Sequence, residues 1–200
     1  MATSRSTARL KLTLVLLLLL VGLVAFSRRE LLDATAGALM QLAGLACVVL
    51  AALGRIWASV FIAGFKDVRL VRAGPYSVCR HPLYGLSMLG MLGLGLATRS
   101  FVLAIALLVI FAVLYALAIR AEDRHLASLH GEAFDAFRRE VPALWPTGPG
   151  NALPAEYKIR PPILRKAFVD AGSLFGAYLL ICLADLLQVS GLLPSLLALS

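Results

Sequence analysis

The sequence predicts an all-α integral membrane protein with about five transmembrane helices, a pocket on the cytoplasmic side and an amphipathic juxtamembrane helix. Three observations lead there. The 200 residues are 60% hydrophobic and 15% charged, with a mean hydropathy of +0.89, whereas a soluble domain carries about 25% charged residues. Five apolar stretches run through the chain, and the basic residues are sorted between alternate sides of them. This composition excludes a soluble globular enzyme, a disordered chain, a collagen and a disulfide scaffold.

The stretches are Leu12–Phe26, roughly Ala34–Leu53, about Leu83–Ala97, Phe101–Ile119 and about Ala167–Leu187, followed by an apolar tail. A spanning helix needs about 20 residues, within a range of about 17–25. The second, fourth and fifth meet that length; the first and third are short. Arg5, Arg9 and Lys11 precede the first stretch, and Ala25 and Ser27 fit a cleavage site, so a signal peptide is the alternative there. The equal hydrophobicity of the remaining chain favours an uncleaved helix. Only Thr98-Arg99-Ser100 separates the third stretch from the fourth, which predicts a tight helical hairpin. With the N-terminus in the cytoplasm, 16 of the 19 lysines and arginines fall on the cytoplasmic side, leaving Arg28, Arg29 and Arg99 outside. The formal charge of +8 therefore points to basic loops beside anionic lipid and not to nucleic acid. The whole chain, 1–200, reads as a single membrane domain.

Nearly all the polar chemistry lies in two cytoplasmic segments, about Gly54–Pro82 and Arg120–Lys166. In the first, Gly74-Pro75 is a turn, and Pro82 opens the third helix where its missing N–H costs nothing. That helix start offers backbone donors and a positive dipole end beside Arg80 and His81. Tyr76 and Tyr84 bracket the corner. Taken singly, these residues also fit juxtamembrane charges and interfacial aromatics. The second segment opens with Glu122-Asp123, an acidic pair at a helix end that prefers cations. It suits either local salt bridges or a cationic ligand group. Leu126, Leu129, Phe134, Phe137 and Val141 then trace an amphipathic helix interrupted at Gly131, lying along the membrane surface as a lid and ended by Trp145-Pro146.

Gly90, Gly93 and Gly95 are close-packing positions in an apolar helix rather than a phosphate loop. Asp185 is the one ionisable residue placed inside a span, where it would pair across a helix contact or sit near an interface. Cys47, Cys79 and Cys182 are far apart and imply neither a metal site nor a disulfide. No HExxH, GxSxG or paired-cysteine motif occurs in the chain.

The strings GPYSVCRHPLYG (Gly74–Gly85) and AEDRHLASLHGEAFDAFRREVPALWP (Ala121–Pro146) resemble the membrane methyltransferase superfamily of isoprenylcysteine carboxyl methyltransferase and the phospholipid N-methyltransferases. The likeness covers roughly residues 54–146, the core segment; residues 151–200 read as a linker and C-terminal membrane helix. The resemblance implies S-adenosylmethionine as methyl donor, S-adenosylhomocysteine as product and a cytoplasmic-side cofactor pocket open to the bilayer. It also implies cofactor contacts from Tyr76, His81, Pro82, Leu83 and Tyr84, with Val68, Arg69, Leu70 and Val71 lining the cleft; Arg80 joins the expected cofactor contacts on its chemistry. Glu122 would hold the amino-acid portion, and Arg120, Glu122 and His81 are the expected catalytic residues. Two departures stand out. Asp123 replaces a second glutamate, and Ala118 stands where some members carry a substrate-binding arginine, which leaves Arg120 as a stand-in.

The residue chemistry agrees with the resemblance. A helix start with Arg80 or His81 suits a carboxylate, Glu122 an ammonium, and tyrosine faces an adenine or sulfonium. The expected acceptor is lipidic or prenylated, with isoprenylcysteine-like carboxyl O-methylation favoured over phospholipid or small-amine N-methylation. A carboxylate needs no base; an amine must lose a proton, to His81, Asp123 or Glu122. A non-catalytic membrane protein retaining the fold is the alternative from another class.

Overall fold

A computed structural model describes residues 27–28, 34–62, 69–146, 153, 161–192 and 197–198. The first apolar stretch and Val68 lie outside them. Five helices are described: α1 (Ala34–Ile62), α2 (Pro82–Ala97), α3 (Phe101–His130), α4 (Glu132–Glu140) and α5 (Pro161–Val189). A 3₁₀ turn over Gly74–Ser77 precedes α2, and a two-residue parallel pairing joins Ser27–Arg28 to Leu197–Ala198. Helices α1, α3 and α5 are long and apolar enough to cross a membrane, and α2 is a shorter apolar helix. The chain is a membrane protein. At 1.5 Å per residue the long helices reach about 43–45 Å, more than the ~30 Å hydrocarbon layer.

Two helices overrun the ends expected from hydropathy. Helix α1 continues past Leu53 through Gly54 and Arg55 to Ile62. A single glycine costs a helix only about 1 kcal/mol, and here its missing side chain admits Leu86, whose methyl would lie 2.5 Å from a Cβ at Gly54. Helix α3 likewise runs beyond Ile119 to His130. Its polar continuation, RAEDRH, consists mostly of good helix formers, so charge ends the apolar stretch without ending the helix. The break comes at Gly131, with φ +50°. The expected amphipathic helix is therefore two elements, with Leu126 and Leu129 on α3 and Phe134 and Phe137 on α4. Leu129 departs from the expected apolar face and is exposed.

Helix α2 packs on α1, α3 and α5. At its centre Gly93 meets Gly44 of α1 so closely that a Cβ on either would lie 2.7 Å from the other's carbonyl oxygen. Gly90 packs on Leu174 and Ala51, and Gly95 on Ala104, so all three glycines serve close packing. Val48, Ala51, Leu94, Leu174, Ala177 and Ile181 fill the core among α1, α2 and α5. The α2–α3 hairpin turns through Arg99, at φ +59°, and Ser100 caps α3 by accepting from the Leu103 amide at 3.3 Å.

Two ends of the bundle follow. One gathers the end of α2 and the start of α3 with the start of α1 and the end of α5. There Asp185 accepts from Gln41 Nε2 at 2.9 Å and pairs with Arg99 Nη1 at 3.5 Å. Asp185 is thus held by a contact across helices. The other end gathers the start of α2, the end of α3 and both sequence motifs.

Candidate functional site

At this second end Gly74 adopts φ +58° against the Phe61 ring, a conformation and a clearance that no larger residue combines without strain. The chain then runs through Arg80 and His81, whose amides donate to the carbonyls of Pro142 at 2.8 Å and Ala143 at 3.0 Å. The two motif strings are thus joined through their backbones. Phe134, Phe137 and Val141 bury their side chains against Leu70 and Leu126. Glu132 and Asp135 in the first turn of α4, with Arg138 and Arg139 in the last, complement its dipole.

Between these elements lies a cavity of about 320 Å³, within the ~300–1,000 Å³ range of small-molecule sites. Tyr76, Arg80, His81, Pro82, Leu83 and Tyr84 all line it, as do Arg69, Leu70, Val71 and Glu122. Arg80 and His81 are buried, at 9% and 5% exposure. Asp123 holds both: its Oδ2 lies 3.2 Å from Arg80 Nη2 and its Oδ1 2.8 Å from His81 Nε2. His81 Nδ1 faces Glu122 Oε2 at 3.8 Å, a separation too long for a hydrogen bond. Adjacent acids thus take different parts, Asp123 fixing the basic pair while Glu122 lines the cavity. Burial pulls the Arg80 guanidinium below the usual arginine range; Asp123 opposes that shift, and Arg138 adds to it. Burial raises the Cys79 thiol, against a smaller lowering by a backbone bond at His81.

The Nε and Nη1 atoms of Arg80 are buried without a hydrogen-bond partner. Buried donors rarely stay unpaired, at about 1–3 kcal/mol each, so a guanidinium on a cavity wall with two of them calls for an acceptor from outside the chain. The backbone contributes less than the sequence suggests. Pro82 has no N–H, and the Tyr84 and Gly85 amides turn back onto the His81 carbonyl at 3.1 and 3.4 Å. This leaves the Leu83 amide at that turn.

Arg120 is not brought to the site. It is exposed, does not line the cavity, and its carbonyl accepts from Arg124 Nε at 3.2 Å. At about 100° per residue, positions two apart on a helix face nearly opposite directions, so a residue at 120 cannot share the face of Glu122. Arg55, Ser87 and Tyr115 line the cavity without having been singled out from the sequence. Tyr115 precedes Glu122 by seven residues, two helical turns, and that spacing carries the signal. Arg55 carries none, because the apolar run ends at Leu53, before it.

A cavity at one end of an apolar helical bundle, walled by a buried arginine and histidine, a carboxylate and tyrosines, is the candidate site of a membrane protein. The chain matches the phospholipid methyltransferase family over residues 32–133, and it belongs to that family. It is 42% identical over 114 residues to the nickel-cobalt-cadmium resistance protein NccN of Alcaligenes xylosoxydans xylosoxydans, covering 57% of this chain and 53% of that protein. It is 47% identical over 103 residues to the cobalt-zinc-cadmium resistance protein CzcN of Cupriavidus metallidurans, covering 52% of this chain and 47% of that protein. The chain thus spans about half the length of the curated relatives it matches. No solved structure matches it.

Proposed function

We propose that this protein is an S-adenosylmethionine-dependent methyltransferase acting on an amphiphilic acceptor that enters from the bilayer. The observation that carries the reading is Arg80, with two buried unpaired donors on a cavity wall shared with Glu122. A cation with spare donors beside a carboxylate suits the α-carboxylate and α-ammonium of an amino acid. Tyr76 and Tyr84 offer ring faces to an adenine or a cation. Bound there, the cofactor supplies a methyl group activated by a sulfonium.

The protein's part is positioning. Asp123 locks Arg80 and His81 into one orientation, Tyr84 packs its ring 5.8 Å from His81, and Phe137 and Leu126 close the cavity from the α3–α4 side. Exclusion of water and alignment of reactants supply most of the rate in such a displacement. A carboxylate acceptor, as in isoprenylcysteine-like O-methylation, requires nothing further. An amine acceptor requires a base, and the 2.8 Å His81–Asp123 contact favours His81 for that second reading. The concentration of arginines at the cavity end supports a cytoplasmic site with the N-terminus inside.

Titration calorimetry of detergent-purified protein with S-adenosylhomocysteine tests the proposal, wild type beside Glu122→Gln. Saturable micromolar binding that weakens at least about tenfold, ~1.4 kcal/mol, in the variant supports it. A folded wild type that gives no binding overturns it in favour of a non-catalytic role.

A further inference from the structure

An aromatic row runs along one wall of the cavity, from the start of α2 into the apolar span of α3. The rings of His81 and Tyr84 are 5.8 Å apart, those of Tyr84 and Tyr115 5.3 Å, and those of Tyr115 and Phe111 5.7 Å. His81, Tyr84 and Tyr115 line the cavity, and the buried Phe111 packs against Tyr115. Tyr115 stands two helical turns before Glu122, about 10 Å along α3 on the same face.

Charge decides what this row can do. With the amino-acid portion of the cofactor held between Arg80 and Glu122, the charge left to satisfy is the sulfonium, which two methylene groups separate from the α-carbon. Among the described residues Glu122 is the only carboxylate on the cavity wall, while Arg55 and Arg69 add positive charge to it. An electron-rich ring face is then the remaining kind of group that attracts a cation. The rings differ in what they already hold. Phe137 carries the Arg72 guanidinium 4.9 Å from its centroid, and Tyr76 is packed among Ala58, Phe61 and Leu83. No cation stacks on Tyr115 among the described residues. Arg55, which shares its part of the cavity, is paired with Asp170, whose Oδ2 lies 3.7 Å from Arg55 Nη2.

We infer that Tyr115, with Tyr84 as a second wall, is the cofactor-binding residue that holds the sulfonium, and that it makes the site prefer the charged methyl donor to its uncharged product. The inference rests on the proposed function and adds to it a residue and a role. The two rings are inclined at 45°, so they form a notch whose walls both attract a cation. Methyl transfer breaks the sulfur–methyl bond and returns its electron pair to sulfur; the acceptor's nucleophilic atom supplies the pair for the new bond. The sulfur is then a neutral thioether, and the rings lose their hold on it. Tyr115 thus favours replacement of spent product by fresh donor. Because it lies deeper in the span than Glu122, it also sets the methyl group on the side from which an amphiphile arrives.

Equilibrium binding without acceptor tests this, on protein in phosphatidylcholine nanodiscs, whose headgroup is already fully methylated. The probes are S-adenosylmethionine and S-adenosylhomocysteine, which differ in the methyl group and the charge. Tyr115→Leu should weaken S-adenosylmethionine at least about tenfold and leave S-adenosylhomocysteine unchanged, which also shows that the variant is folded. Tyr115→Phe keeps the ring and should keep the preference. Fluorinating that phenylalanine withdraws electron density at nearly constant shape, and should weaken S-adenosylmethionine stepwise without moving S-adenosylhomocysteine. This series decides the matter even where Tyr115→Leu does not fold. Equal loss of both ligands, no loss of either, or indifference to fluorination overturns this inference alone. A folded wild type that binds neither ligand overturns it together with the cofactor reading.

Discussion

The two ends of the bundle each bury an acid against an arginine, with opposite consequences. At one end Asp185 is taken up by Arg99 and Gln41, and the Gln41 carbonyl accepts in turn from the Tyr178 hydroxyl at 2.9 Å. The Arg99 side chain lies across Gly37, where a Cβ would come within 2.1 Å of it. At the other end Asp123 satisfies one nitrogen of Arg80 and one of His81, and two Arg80 donors remain unpaired beside a cavity. Similar residues thus make a closed clasp in one place and an open site in the other. The difference lies in whether the surrounding helices leave room, because a buried network that completes itself offers a ligand nothing.

The sharpest way to break this comparison is to remove the acid of the closed end. Asp185→Ala leaves Arg99 and Gln41 facing each other in apolar surroundings and should cost about 3 kcal/mol of stability. Thermal unfolding in detergent will show it, with S-adenosylhomocysteine affinity unchanged in the folded fraction. A ligand defect without a stability defect would erase the distinction between the ends. Glu122→Gln should behave in the opposite way. Calorimetry is expected to show binding weakened at least about tenfold, while the melting temperature stays close to wild type because the residue is only partly buried.

Cys79 gauges how tightly the open end is held. It is 3% exposed and burial raises its thiol, so the reactive thiolate forms only at higher pH than in an unfolded chain. Maleimide modification at pH 7.5, followed by mass spectrometry, should be about tenfold slower at Cys79 in the folded protein than in SDS. Equal rates would mean that the Gly74–Pro82 segment opens readily. The smallest effect is expected at Arg120. Arg120→Ala should change stability by no more than about 0.5 kcal/mol and leave S-adenosylhomocysteine binding intact; a tenfold loss would return that residue to the site.

Much of this was legible in the sequence because the relevant signals are local. Pro82 marks the start of α2, and Gly131 separates α3 from α4. The strings around His81 and Glu122 hold most of the residues that line the cavity. Arg55 was not legible, because an arginine after an apolar run reads as a loop charge whether or not the helix continues. Arg120 was misplaced for a related reason: proximity in sequence substituted for helical phase, and two residues on a helix are nearly half a turn apart.

Composition by itself determined that the chain must sit in a bilayer, since a chain with so few charged residues cannot cover its surface in water. The spacing of glycines and prolines determined where its helices pack and begin. Only the tertiary structure decided which polar groups complete one another and which remain open. That outcome depends on distances of a few tenths of an ångström between side chains from different helices. The pairing of Asp123 with His81, 42 residues apart, the unpaired donors of Arg80 and the reach of Arg55 into the cavity are set by how the helices meet, a relation that no local pattern encodes.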